Sequence, residues 1–254
     1  MRSSPIPFAR SSMFLVFLAA LQSGCASFEG TLDRSRTLRS ASASTQIGSI
    51  AVAPVPRLRS GQSKQAAQRM ARRLEMKLHH ALRRAFPEAR VVGSDHLEQS
   101  LAQKRGALER FTTWRTAYAR SAKLNPTMVR QYAILAGVDY LLVVRKAELK
   151  RRYLPGEEAI ERCPLRFCIG PRPHHIWRTD LEVVADLIDL RRGRLVWRGV
   201  GAALNDYAGD LEINLLRKEA APKPPAELKA VDDDLLVIAS DGVARQIAES
   251  VGGG

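Results

Sequence analysis

The chain carries none of the short signatures that announce a reaction: no GxSxG, no HExxH, and no glycine loop followed by a GxxxxGK helix. Gly199-Val200-Gly201 comes nearest to a phosphate loop, but no such helix follows it. Five histidines follow no recognisable pattern, and three cysteines are too few for a disulfide framework, which a chain of 254 residues does not need in order to bury a core. No apolar run is long enough to span a bilayer; Met13 to Leu21 falls well short. Acid is scarce too, with 26 Asp and Glu against 40 Lys and Arg and a formal net charge of +14. Such a balance calls for acidic neighbours, and nucleic acid is the usual first reading unless the chain leaves the cytoplasm.

The N-terminus indicates that it does leave. Residues 1–12 hold Arg2 and Arg10 and no acid, and Met13 to Leu21 is apolar, which together read as an export signal. The segment Leu21-Gln22-Ser23-Gly24-Cys25 resembles the end of a bacterial lipoprotein signal, in which a small residue precedes a cysteine that is acylated and becomes the mature N-terminus. It departs from that pattern at Gln22, where the family has an aliphatic residue, Leu21 standing one place early. A plain secretory signal is the alternative. The resemblance implies a signal over 1–24, lipid on Cys25 and, because Ala26 rather than aspartate follows, the periplasmic face of the outer membrane of a Gram-negative cell. Two or more acyl chains give stable attachment where one is marginal. Export removes nucleic acid as a partner and leaves phospholipid headgroups, lipopolysaccharide and wall carboxylates.

Residues 26–46 are small and polar without a sustained apolar period, so 25–46 reads as a lipidated cysteine and a flexible tether. Fully extended, residues 26–46 would reach up to roughly 70 Å. The rest, 47–254, reads as a single α/β domain centred on Gly137 to Ala202. Tyr140 to Leu149 is its middle strand, with Leu141, Val143, Ala147 and Leu149 on one face. Leu181, Val183, Ala185 and Leu187 point inward from the next strand, Glu182 and Asp186 outward, and Leu190 to Arg194 turns the chain into Leu195-Val196-Trp197.

Around these strands the pattern is helical. Ile47 to Val55 opens with a strand stopped by Pro54 and Pro56. Ala67, Met70, Leu74, Leu78, Ala81, Leu82 and Ala85 keep helical spacing over Ser63 to Phe86. Ala89 to Val92 is a short strand, Ser94 caps a helix through Leu97 and Leu101, and Phe111, Trp114 and Tyr118 form a packing stripe. Asn125-Pro126 starts a helix that Gly137 ends. Asp232, Asp233 and Asp234 suit the first turn of a last helix running to Ser250, with Leu236, Ala239, Val243, Ile247 and Val251 buried.

The order resembles the N-terminal domain of the Tol-Pal translocation protein TolB and envelope lipoproteins such as the penicillin-binding-protein activator and the curli secretion lipoprotein. Ile50-Ala51-Val52-Ala53-Pro54-Val55, Ala136-Gly137-Val138-Asp139-Tyr140-Leu141-Leu142-Val143 and the hairpin Leu187 to Gly199 carry the resemblance. It implies an α/β fold with a mixed sheet and packed helices in two layers, and brings no catalytic residues, cofactor or metal with it. The curli member makes a pore, whereas Tyr153 to Ile176 lacks lipid-facing alternation.

That irregular insertion, 153–176, holds Cys163 and Cys168, which after export read as a small disulfide loop; zinc shared with His174 and His175 is the alternative, on poor ligand spacing. Ten basic residues form the candidate partner surface: Arg69, Arg72, Arg73, Lys77, Arg83 and Arg84 on the first long helix, and Arg145, Lys150, Arg151 and Arg152 at the strand end. The expected function is a non-catalytic, membrane-tethered binding or assembly factor for an envelope protein or wall component. A periplasmic hydrolase acting through a histidine such as His96 or His175 is the alternative. Fractionation checks the anchor: wild type pellets with membranes and Cys25→Ser is released, whereas equal solubility of the two after export would rule lipid out.

Overall fold

A computed structural model describes residues 30–40, 47–154, 176–208 and 228–252. Seven strands form one mixed sheet: β1 (Gly30–Asp33), β2 (Arg36–Ser40), β3 (Ser49–Val52), β4 (Arg90–Val92), β5 (Tyr140–Leu154), β6 (Ile176–Asp189) and β7 (Arg194–Ala208). Their order is β1-β7-β6-β5-β3-β4, with β2 following β1 along the same edge of β7. Strand β3 runs parallel to β4 and β5, while β5, β6 and β7 form a long antiparallel meander. Among the described residues five helices cover it: α1 (Lys64–Ala85), α2 (Ser94–Ala102), α3 (Ala107–Ser121), α4 (Pro126–Ala136) and α5 (Leu228–Gly252). None is long and apolar enough to cross a membrane.

The α/β class and the mixed sheet are those the sequence predicts, but the helices divide between both faces, so the sheet is the middle of three layers. Helices α1 and α5 pack on Ile50, Val52, Tyr140, Leu142, Val144, Ala147 and Leu149. Helices α2, α3 and α4 pack on Ala51, Ala53, Leu141, Val143 and Ile188. Strict alternation would put Leu141, Val143, Ala147 and Leu149 on one face. A bulge between Val144 and Lys146 inserts Arg145 as an extra residue, and because the side-chain period is two, everything beyond it changes face.

Local chemistry places most elements where expected. Ser63 caps α1, its hydroxyl accepting from the Ala66 N–H at 3.3 Å, and Asn125 caps α4 the same way through Met128 at 3.3 Å. Phe111, Trp114 and Tyr118 are buried packing residues. Two caps differ. Gly93, not Ser94, precedes α2, and the Ser94 hydroxyl instead donates to Glu75 Oε2 at 2.5 Å, tying α2 to α1. Helix α5 starts at Leu228, so Asp232 and Asp233 lie beyond its first turn and serve side chains: Asp232 takes Arg151 and Asp233 takes Arg73. Burial raises the Asp232 carboxyl above its ordinary range, its bond to Arg151 working against that shift.

The tether reading is corrected over 30–40. Gly30–Asp33 and Arg36–Ser40 extend the sheet along β7, in register Leu32 with Leu204 and Arg36 with Val200. Polar pairs hold them to α5: Arg245 donates to Asp33 at 2.7 Å and Thr37 to Gln246 at 3.1 Å. The ribbon buries little apolar surface, which is why no hydrophobic period announces it. Residues 25–29, the cysteines Cys25, Cys163 and Cys168, and His174 and His175 lie outside the described residues, as does most of the insertion.

Gly201 decides how close α5 comes. A Cβ there would lie 2.3 Å from the Ala239 carbonyl oxygen and 2.6 Å from Val243 Cγ2, so β7 and α5 meet backbone to backbone. The glycine pair that failed as a phosphate loop has this packing role. Gly201→Ala is expected to cost about 2–3 kcal/mol, lowering Tm by roughly 5–10 °C in a domain of this size. Gly61→Ala, with nothing within 4 Å, should leave Tm unchanged. Equal melting of the two variants in calorimetry would refute the close approach.

Candidate functional site

Four separate segments converge where β3, β4, β5 and β6 reach one end of the sheet. They form a cavity of about 550 Å³ whose lining includes apolar Ile47, Ala85, Phe86 and Tyr140 and charged Glu88, Asp139, Asp189, Arg191 and Arg192. Its walls are fixed locally. The Ser49 hydroxyl donates to Asp139 Oδ2 at 2.9 Å and accepts from the Asp139 N–H at 2.9 Å, locking the starts of β3 and β5 together. The Leu190 N–H donates to the Asp139 carbonyl at 2.8 Å, joining the β6–β7 turn to β5. Asp189 accepts from the Arg192 N–H at 2.8 Å. Above this floor stand Arg191 and Arg192, with side chains 77% and 57% exposed; Arg191 Nε lies 2.5 Å from Asp139 Oδ1, and Arg192 Nε 3.8 Å from Asp189 Oδ2.

An apolar floor under exchangeable, exposed cations suits recognition of a group with an apolar body and a negative or hydrogen-bond-accepting end. Asp139 and Asp189 are engaged in holding strand ends, Glu88 stands exposed at the rim, and among the described residues no imidazole or thiol lines the cavity. His96 stands exposed on α2. Among the described residues no three His, Cys, Asp or Glu side chains converge as a metal would require.

A second polar cluster lies beneath α3. Asp186, expected to face water, is fully buried; Arg198 donates to both its oxygens at 2.7 Å and the Tyr118 hydroxyl donates at 2.5 Å. Arg145, displaced by the bulge, brings its Nε to 3.8 Å. Burial, with the Asp186 charge adding to it, raises the Tyr118 hydroxyl well above its ordinary range, and the bond to Asp186 raises Arg198 against the opposing effect of burial. Every strong partner is committed to another, which makes this a clamp of α3 on the sheet rather than a reactive centre.

The ten basic residues do not form one surface. Arg73 pairs with Asp233 at 3.3 Å and Arg84 with Asp241, so both cross from α1 to α5. Arg151 reaches under α5 to Asp232 and to the Leu228 carbonyl. Lys150 and Arg152 project from the opposite face of the sheet to Glu148 at 3.3 Å and Asp180 at 3.0 Å. Of the ten, Arg69, Arg72, Lys77 and Arg83, strung along α1, carry no ion pair among the described residues. The cavity residues escaped sequence reasoning because they lie in four stretches, each legible only as a strand end or a turn.

Arg198→Met should cost roughly 3–5 kcal/mol by leaving Asp186 buried without its counter-ion, and Tyr118→Phe about 1.5–3 kcal/mol by removing one bond to a charged group. Tyr118 also sets an alkaline limit. Its pKa is higher in the folded state, so its contribution is whole below the unfolded value near pH 10 and is lost as pH rises above it. Urea unfolding from pH 8 to 11 should show a fall that is smaller in Tyr118→Phe; parallel curves would contradict the clamp.

No family model matches the sequence, and no curated protein matches it. Among solved structures the chain is similar to the LpoB C-terminal domain from Salmonella enterica, at 14% identity over 62% of this chain and 84% of that one, with a TM-score of 0.30. It is similar to the hypothetical protein CT253 from Chlamydia trachomatis at 12% identity over 82% and 99%, with a TM-score of 0.40. The lipoprotein GNA1162 from Neisseria meningitidis matches at 15% identity over 80% and 99%, with a TM-score of 0.31. Scores and identities at this level assign the chain to none of these proteins' families.

Proposed function

We propose that this chain is a non-catalytic, lipid-anchored protein of the Gram-negative envelope, held on the periplasmic face of the outer membrane through Cys25, whose α/β domain binds a protein or wall component in the strand-end cavity. The observation that carries this reading is the placement of the cavity relative to the chain's entry. Gly30 opens the sheet opposite Asp206, which pairs with Arg178. The cavity lies at Asp189, eleven residues further along β6 and towards the β4 edge, or roughly 35 Å at 3.2–3.4 Å per residue. An anchor at one corner and a recessed site at the diagonal corner present that site to the periplasm. The cavity supplies exposed cations, apolar contact and fixed carboxylates, which are means of recognition.

The basic patch is replaced by the cavity as the binding surface, and the long tether by a short one. Only Ala26 to Phe28 and Glu29 separate Cys25 from Gly30, a reach of at most about 17 Å against the roughly 70 Å of a fully extended tether. Photo-cross-linking in living cells tests the site. A cross-linker at Phe86 or Arg191 should capture one reproducible envelope partner, with yield falling about tenfold in Asp139→Ala, and a cross-linker at Arg69 should not. Equal capture from all three positions, or turnover of a broad hydrolase substrate panel abolished by His96→Ala, would refute the reading.

A further inference from the structure

The ribbon of β1 and β2 has a composition that its role in the sheet does not explain. Its inner side chains, Asp33 and Thr37, engage α5. Outward stand Leu32 and Leu38, 55% and 53% exposed, interleaved with the exposed Arg34, Arg36 and Arg39. Leu32 stands opposite Leu204 and Arg36 opposite Val200, and side chains directly opposite one another share a face; this is the one that Lys150 and Asp180 continue and none of the described helices covers. Arg34 and Arg36 line a trough of about 280 Å³ there with Val200, Ala202 and Leu204, and its carboxylates, Glu148, Asp180 and Glu182, are paired with Lys146, Lys150 and Arg152. Among the described residues, no carboxylate pairs with Arg34, Arg36 or Arg39, whereas Lys146, Lys150, Arg152 and Arg178 on the same face each have one. Charges on an edge strand ordinarily guard against strand addition. That accounts for the arginines but not for two leucines more than half exposed.

We infer that the ribbon Gly30–Ser40 is a membrane-contact surface that lies on anionic phospholipid headgroups, Leu32 and Leu38 entering the headgroup boundary and Arg34, Arg36 and Arg39 meeting lipid phosphates. Charge complementarity favours this occupant, since the uncompensated cations are all of one sign beside apolar side chains. Position favours it as well. The inference deepens the proposed function and rests on acylation of Cys25, because the five steps from Cys25 to Gly30 keep Gly30 within about 17 Å of the lipid-bearing residue. Ribbon and acyl chains together form two membrane signals.

Vesicle flotation of the chain from Ala26 to Gly254, which holds every described residue, tests the contact without any lipid on the protein. Wild type should float with phosphatidylglycerol–phosphatidylethanolamine vesicles and not with phosphatidylcholine vesicles. Each arginine near an anionic surface is worth about fivefold, so Arg34→Gln, Arg36→Gln and Arg39→Gln together should weaken binding roughly a hundredfold, and Leu32→Ser with Leu38→Ser about tenfold or more. A triple variant of equal charge on α1, Arg69→Gln, Arg72→Gln and Arg83→Gln, should retain binding. Absence of flotation by well-folded wild type, equal loss in the two triple variants, or loss of a captured protein by the ribbon variant with flotation unchanged would each overturn the contact. Failure of Cys25 acylation would show in the fractionation of Cys25→Ser and leave these vesicle results as they are.

Discussion

The buried carboxylate of Asp186 is the constraint on which the middle of the structure depends. A charge without solvent contact must be neutralised and hydrogen-bonded where it stands. Arg198 from β7 and Tyr118 from α3 do this at 2.5–2.7 Å, so β6, β7 and the helix above them have one relative position. Trp114 stacks on Tyr118 at 5.5 Å between centroids, and Phe111 and Tyr132 continue the aromatic packing from α3 to α4. The bulge at Arg145 belongs to the same arrangement, since it turns a third side chain towards the cluster and changes the face of every later residue of β5.

Beyond that bulge the sheet has two different faces. Ala147, Leu149 and Arg151 remain under α1 and α5, while Lys146, Glu148, Lys150 and Arg152 stand on a face where β6 and β7 supply Asp180, Glu182, Arg178 and Asp206. Exposed pairs of this kind add little to stability individually. They allow long strands to run past the helical layer, and so separate the cavity at Asp139 and Asp189 from the Gly30 end of the ribbon. The separation of the two surfaces is a product of strand length.

Some of this was open to inspection in the sequence, because it depends on near neighbours. The α1 stripe, the caps at Ser63 and Asn125, and the turns at Gly137 and Gly193, with φ of 62° and 66°, are decided within a few residues by helical period, side-chain hydrogen bonding and glycine's tolerance of positive φ. The strands of the meander are legible for the same reason. The faces of the far half of β5 were not, since a bulge leaves no mark in composition, and Asp186, on the face where alternation puts it, is buried only because α3 covers that face.

What the sequence by itself determined is the set of local elements, the α/β class, the surplus of basic charge and the signal-like N-terminus ending at Cys25. Tertiary structure alone decided which charges pair, that Arg73 and Arg151 are used inside the fold, that residues 30–40 join the sheet, and that Ile47, Phe86, Asp139 and Arg191 meet around one cavity. The physical reason is separation along the chain. A helix or a turn is stabilised by groups three or four residues apart, whereas an ion pair, an edge strand or a cavity is made by groups far apart in sequence, whose meeting depends on every element folded between them.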